Sequence, residues 1–208
     1  MSQRVTVVDY GVGNLYSVQR ALEVSGADEV VVTSQPDEIA GADRLILPGV
    51  GAFADGMQGL HSLGLVEPLV RFAQSGRPLL GICLGMQMLA TVSDEFGTHE
   101  GLGLIPGKVV PIPRTSCDGG AMKVPFIGWA PLTVGNPRAR AGSSLEAHDD
   151  RDAVYLVHSF HVVPDDPSHV LATYEFGGHP ITAAIRRDNV YGFQFHPEKS
   201  ARAGLAIM

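Results

Sequence analysis

The sequence predicts an α/β fold, a three-layer sandwich with helices on both faces of a mostly parallel central sheet, followed by antiparallel strands in the C-terminal half. Two observations carry this. In the first half, short β-rich runs alternate with stretches of helical spacing, and the runs are apolar throughout rather than at every second position. Strands read that way when both faces are covered, the condition of parallel sheets with helical crossovers. In addition, glycine-rich turns close several of these runs, at Gly11, Gly49 and around Cys83. In open α/β sheets, ligands bind beyond the carboxyl ends of the strands, where these turns would lie.

The elements follow in order. Val5 to Val8 reads as a first strand, stopped by Asp9 and the Gly11-Val12-Gly13-Asn14 turn. Leu15, Val18 and Leu22 recur at spacings of three and four, so the next segment is helical, and Gly26 ends it. Glu29 to Thr33 is a second strand and Pro36 to Ala40 a short helix. Arg44 to Leu47 is a third strand, broken by Pro48-Gly49-Val50-Gly51. Leu60 to Gln74 reads as one helix ending at Gly76, Pro78 to Cys83 as a fourth strand, and Met86 to Thr91 as a helix. From Gly101 to about Val134, glycine and proline are frequent and helical periodicity is weak. The runs Val154 to Val157, Val170 to Phe176, Ile181 to Ile185 and Val190 to Phe195 read as antiparallel strands. Arg138 to Arg151 reads as polar surface loop rather than an interdomain linker, so the 208 residues are expected to form a single domain, 1–208.

Composition narrows the function. Hydrophobic residues are 45% and charged residues 18%, a globular balance. The net charge of -7 disfavours nucleic acid or an anionic membrane as a main partner, since both attract basic surfaces. Two cysteines, Cys83 and Cys117, are too few for a secreted disulfide scaffold or a self-contained structural zinc site. No apolar segment approaches the ~18 residues of a membrane span, and the first residues lack a basic-then-apolar signal pattern. The expectation is a soluble cytoplasmic protein with neither metal nor other cofactor.

Chemistry concentrates at two places. Gly81-Ile82-Cys83-Leu84-Gly85 puts a cysteine between glycines where an apolar strand meets a helix. This is the thiol form of a nucleophile elbow, whose sharp turn projects the side chain into the crevice. A helix N-terminus behind it favours thiolate, and the Leu84 amide would point at an oxyanion. A thiol nucleophile needs a base, and the base an orienter. Phe195-His196-Pro197-Glu198 supplies both: two residues apart on extended backbone, His196 and Glu198 would aim the same way. Taken singly, a free cysteine is more often a buried structural residue, and a histidine beside a carboxylate is often a satisfied surface pair. The two motifs together make that coincidence unattractive.

Gly-Ile-Cys-Leu-Gly-Met-Gln at 81–87 and Phe-His-Pro-Glu at 195–198 resemble the class I glutamine amidotransferases, which use a Cys-His-Glu triad on a flavodoxin-like sheet. Asp9 to Leu15, Leu47 to Phe53 and Gln194 to Ser200 resemble more narrowly the glutaminase subunits of imidazole glycerol phosphate synthases, from histidine biosynthesis. The likeness runs from residue 4 to about 205. It implies that Cys83 attacks the side-chain amide of glutamine, that His196, oriented by Glu198, moves the proton, and that water hydrolyses the thioester. It implies an oxyanion strand at Pro48 to Gly51, with Val50 and Leu84 as amide donors. It implies a glutamine pocket of Gly51, Gln87, Glu95, Ser159 and Phe160. It also implies a heterodimer with a (β/α)8-barrel cyclase, docked near Lys123, Trp129, Tyr155 and Lys199, that receives the ammonia and makes imidazole glycerol phosphate and AICAR. The chain departs from the common family pattern at Phe126 and Ala130, toward that docking side.

Other signals lead less far. Gly11-Val12-Gly13 lacks the third glycine of a dinucleotide fingerprint, since position 16 is Tyr16. His158 and His161 would need further ligands to hold a metal, and His158 is expected to line the pocket or pack structurally. Cys117 reads as a loop thiol. Two other functions stay open on the sequence: a paralogous glutaminase feeding a different amination reaction, and an inactive scaffold that only binds a partner.

Overall fold

The computed structural model describes residues 3–135, 142–146 and 152–208. Most of the loop expected at Arg138 to Arg151 lies outside the described residues. The first half runs β1 (Arg4–Val8), α1 (Leu15–Val24), β2 (Glu29–Thr33), α2 (Pro36–Ala40), β3 (Leu45–Leu47), α3 (Phe53–Ser62), α4 (Val66–Gln74), β4 (Leu79–Ile82) and α5 (Leu84–Met88). Then come β5 (Val92–Ser93), β6 (His99–Glu100), β7 (Gly107–Pro111), β8 (Phe126–Pro131), β9 (Thr133–Val134), β10 (Ala153–His158) and β11 (Phe160–Pro164). The chain finishes with β12 (Val170–Phe176), β13 (His179–Arg187), β14 (Val190–Phe193), a 3₁₀ turn at Pro197–Lys199 and α6 (Ala201–Ile207).

Eight strands form the main sheet in the order β2-β1-β3-β4-β14-β13-β12-β9. The pairs from β2 to β14 are parallel, and those from β14 through β13 and β12 to β9 are antiparallel. The parallel half explains the continuously apolar strands. Side chains alternate between faces, so Leu45 and Leu47 join a core with Ile39, Leu69 and Phe72 from α2 and α4. Ile46, with Val5 and Val7, packs on the opposite face against Val18 and Leu22 of α1. Both faces therefore need apolar residues. Two smaller sheets, β10-β8 and β11-β7-β5-β6, lie outside the main one.

The structure departs from the expected elements in three places. Leu60 to Gln74 is two helices, α3 and α4. The chain breaks at Gly64, whose φ of 66° is left-handed, and Pro68 sits in the first turn of α4, where its missing N–H costs nothing. The helix expected at Met86 to Thr91 begins two residues earlier, directly after Cys83, and ends at Met88. Val190–Phe193 is not purely antiparallel: it runs antiparallel to β13 but parallel to β4, which brings the C-terminal segment beside the nucleophile strand. Residues Val154 to Val157 are an antiparallel strand as expected, paired with β8 outside the main sheet.

Candidate active site

Cys83 sits at the carboxyl end of β4, in the centre of the sheet. Its backbone is left-handed, with φ 55° and ψ −110°. That conformation costs a non-glycine residue about 1–3 kcal/mol, and the surroundings hold it. The Cys83 amide donates to Phe193 O of β14 at 2.7 Å, and its carbonyl accepts from Gln87 N at 3.2 Å. The turn is so tight that a Cβ on Gly85 would lie 1.8 Å from Leu47 O, and one on Gly81 2.6 Å from Gly85 O. Glycine at both positions is a packing requirement of the elbow.

His196 follows β14, the strand beside β4. Its ring is buried, and Nδ1 lies 2.8 Å from Glu198 Oε1. The expected extended geometry is not what joins them. His196 precedes the 3₁₀ turn Pro197–Lys199, and that turn folds Glu198 back onto the imidazole. Ser200 Oγ locks the turn, donating to His196 O at 2.6 Å and accepting from Tyr155 N at 2.9 Å. Burial pushes the His196 pKa down, but hydrogen bonds and charge from Cys83 and Glu198 outweigh it and raise the value to about 9. With Nδ1 on the carboxylate, Nε2 is the nitrogen left to face the thiol.

A cavity of about 300 Å³ opens over this pair. Cys83, His196, Val50, Gly51, Leu84, Gln87, Glu95, Ser159 and Phe160 all line it, and Glu198 lies behind His196. Gln87 is buried on α5 and donates through Nε2 to Phe160 O and to Gln194 Oε1, each at 3.0 Å. Its Oε1 is thus the group free to meet a donor. Glu95 Oε2 accepts from Phe53 N at 2.6 Å, at the start of α3. One expected donor is already in use. The Leu84 N–H donates to Gly49 O at 3.3 Å, so the carbonyl of the Gly49–Val50 peptide stands where an oxyanion would bind. The elbow pointed that amide correctly, but the neighbouring loop satisfies it.

The glutamine amidotransferase class-I family profile matches residues 6–206. The chain belongs to the class-I glutamine amidotransferase family. It is 50% identical over 205 residues to imidazole glycerol phosphate synthase subunit HisH 1 of Legionella pneumophila strain Lens, covering 98% of this chain and 96% of that one. It is 44% identical to the HisH subunit of Aquifex aeolicus strain VF5, covering 99% and 94%. Among solved structures it is similar in fold to PurLQS from Thermotoga maritima, with a TM-score of 0.72, 21% identity and coverage of 100% and 95%. It is also similar in fold to the glutaminase domain of Trypanosoma brucei CTPS with bound acivicin, with a TM-score of 0.63, 17% identity and coverage of 99% and 92%.

Tyr10 and Gln194, which fall within the quoted motifs but are assigned no role there, also lie at the site of this amidotransferase, and His158 takes one of its two expected places there. Tyr10, after β1, donates from its hydroxyl to Pro48 O at 2.7 Å, and burial, then the charge of Cys83, pushes its pKa up. Gln194, two residues before His196, is fully buried with Nε2 3.8 Å from Cys83 Sγ. Period-two alternation could have found it: Gln194 and His196 share one strand face, while Phe193 and Phe195 stack on the other. His158 lines the cavity and is held neutral. Its Nδ1 lies 2.8 Å from Phe160 O and its Nε2 2.9 Å from the Tyr174 hydroxyl, and burial lowers its pKa to about 4.

Of the four expected docking residues, Trp129 and Tyr155 lie near His196, and Lys199 ends the 3₁₀ turn that carries Glu198. Trp129 and Tyr155 are register partners in the β8–β10 ribbon, with rings 5.9 Å apart, and the Tyr155 ring lies 6.5 Å from that of His196. Trp129 is half exposed rather than core, and Lys123 and Lys199 are exposed. Cys117 is an exposed free thiol 3.7 Å from the His179 ring. Among the described residues no cluster of three or more His, Cys, Asp or Glu is arranged to hold a metal, and no helix is long and apolar enough to cross a membrane.

Proposed function

We propose that this chain, acting as one amidotransferase domain over residues 1–208, hydrolyses glutamine to glutamate and ammonia. It would pass the ammonia to a (β/α)8-barrel cyclase that makes imidazole glycerol phosphate and AICAR. The observation that carries the chemistry is the joining of Cys83, His196 and Glu198 under a 300 Å³ cavity. That volume suits an amino acid, and the free acceptors of Gln87 and Glu95 suit an α-ammonium group. Glutamine as substrate and the cyclase as partner rest on the HisH relatives, which resemble the chain over nearly its whole length.

In the proposed reaction His196 Nε2 takes the Cys83 proton and the sulfur attacks the side-chain carbonyl carbon. The C–S bond forms, the C–N bond breaks, and His196 returns its proton to the departing ammonia. Water, deprotonated by the same imidazole, then cleaves the thioester, giving glutamate and restoring the thiol. Glu198 orients the ring and offsets its positive charge.

The oxyanion donors are the incomplete part. Gly49 O occupies the Leu84 amide, so the Gly49–Val50 peptide must rotate before both amides face the oxyanion. Val50 is 43% exposed at the cavity mouth, within reach of a docked partner. The isolated chain should therefore turn over slowly and accelerate when the cyclase docks. Glutamate release with and without the cyclase tests this. Equal rates would refute the gating, and full glutaminase activity in Cys83→Ala would refute the reaction itself.

A further inference from the structure

We infer that Gln194 is a further catalytic residue: its side-chain amide donates a hydrogen bond to the Cys83 thiolate and ties the state of the nucleophile to the glutamine pocket. This rests on the proposed role of Cys83 as nucleophile and goes beyond the Cys-His-Glu set.

The geometry leaves the amide one orientation. Gln194 is fully buried, and its backbone N–H is locked into the sheet against Ala183 O at 2.8 Å. Its Oε1 accepts from Gln87 Nε2 at 3.0 Å, and its Nε2 lies 3.8 Å from Cys83 Sγ. Gln87 Nε2 also donates to Phe160 O. If the Gln194 amide were flipped, an NH2 group would face the NH2 of Gln87, and a carbonyl oxygen would face the sulfur. Both contacts are repulsive, so the chain Phe160 carbonyl, Gln87, Gln194, Cys83 has a single polarity. It begins at a pocket wall and ends on the reacting atom.

The thiolate has need of such a donor. The helix behind it, α5, is only five residues long, so its dipole is small. The Leu84 amide is taken by Gly49 O. The titratable groups facing Cys83 are His196, backed by Glu198 and then His158, and the Tyr10 hydroxyl. Tyr10 spends its proton on Pro48 O. Gln194 is thus the neutral side-chain donor directed at sulfur among the described residues. A titratable donor there could, in its deprotonated form, take the sulfur's proton in place of His196, whereas an amide is not titrated. Ligand binding that pulls on Gln87 would be felt at sulfur through two hydrogen bonds.

The test is the pH profile of Cys83 alkylation by iodoacetamide, in a Cys117→Ser background so that only one thiol reacts. Gln194→Met removes the donor at nearly constant volume. Gln194→Glu keeps the acceptor for Gln87 and turns a carboxylate oxygen on the sulfur. The midpoint of the profile should rise by roughly one pH unit in Gln194→Met and by more in Gln194→Glu, as expected when a hydrogen bond to an anion is lost or replaced by like charge. With the cyclase present, kcat at pH 7 should fall about tenfold with KM changed less than about twofold. A packing role alone would lower the urea midpoint and leave the alkylation midpoint in place, and that result overturns the inference. Gln87→Leu, which frees the Gln194 amide without altering it, gives a second measurement should the Gln194 variants not fold. A smaller upward shift is expected, and none overturns the inference. Failure of the nucleophile assignment looks different: the starting protein would keep full glutaminase activity after Cys83 is alkylated.

Discussion

Raising the pH through the alkaline range should cost the folded protein stability at one identifiable residue, His196. Burial lowers its pKa, but hydrogen bonds and charge from Cys83 and Glu198 raise it to about 9, against 6.5 for a free imidazole. The folded state therefore binds the imidazolium more tightly than the unfolded state does. Its contribution is fully present below pH 6.5 and is lost as the pH rises through about 9. A difference of about 2.5 units, at about 1.36 kcal/mol each, gives at most about 3 kcal/mol. Glu198→Gln isolates the carboxylate's share. The Glu198 side chain is only 2% exposed, and its Oε1 lies 2.8 Å from Nδ1, so the substitution removes an unscreened charge at constant shape. Urea unfolding at half-unit steps from about pH 6 to 9.5 is the assay. The unsubstituted chain should lose stability across that window, and the variant should start lower and lose distinctly less. Activity should fall with it by about 10²–10⁴, since a glutamine does not fix the tautomer as a carboxylate does. Parallel curves for the two proteins would refute the claim that the His196–Glu198 pair sets the alkaline limb.

Four further outcomes follow from other features. On the acid side, burial lowers the pKa of His158 and His161 to about 4 each, so their stabilisation is present above pH 6.5 and lost as the pH falls toward 4. His161→Asn should flatten that limb in the same urea series. Tyr10→Phe should lower stability by about 1–3 kcal/mol by leaving Pro48 O unpaired, and should reduce kcat more than it raises KM, read by urea melts and glutamate release. Gly85→Ala should cost more than about 3 kcal/mol or prevent folding, because its Cβ would meet Leu47 O at 1.8 Å. Gly26→Ala, strained by a φ of 104° but with open space around its Cβ, should cost less than Gly85→Ala, about 1–3 kcal/mol in the same melts.

The parallel half of the fold was legible because each of its strands is apolar on both faces, as Leu45, Ile46 and Leu47 illustrate by splitting between two cores. The elbow was legible because Gly81 and Gly85 admit no Cβ. What escaped was long-range. Nothing local in Val190–Phe193 says that one neighbour is antiparallel β13 and the other parallel β4, yet that placement sets His196 beside Cys83. The helix break at Gly64 was hidden because α3 and α4 keep helical spacing on either side of it. The pairing of Gln194 with Gln87 spans 107 residues and has no sequence signature beyond sharing a strand face with His196.

If Cys83, His196 and Glu198 act as proposed, the same contacts give a physical reason for the slow turnover expected of the isolated chain. The Pro48–Gly51 loop is pinned at one end, where the Tyr10 hydroxyl holds Pro48 O, and turns at the other through Gly51 at φ 99°. Between them the Gly49–Val50 peptide makes one bond to the elbow, at 3.3 Å. That is longer than the 2.7–3.1 Å at which an oxyanion would be held, so the negative charge that develops on the substrate competes well for the same Leu84 amide. Rotation of this one peptide would trade a long neutral hydrogen bond for two short charge-assisted ones, without moving Cys83, His196 or Glu198. A partner that contacts the exposed Val50 side chain has only to favour that rotation. Rate control in this protein is therefore expected to lie in a single loop peptide beside a triad that is already assembled.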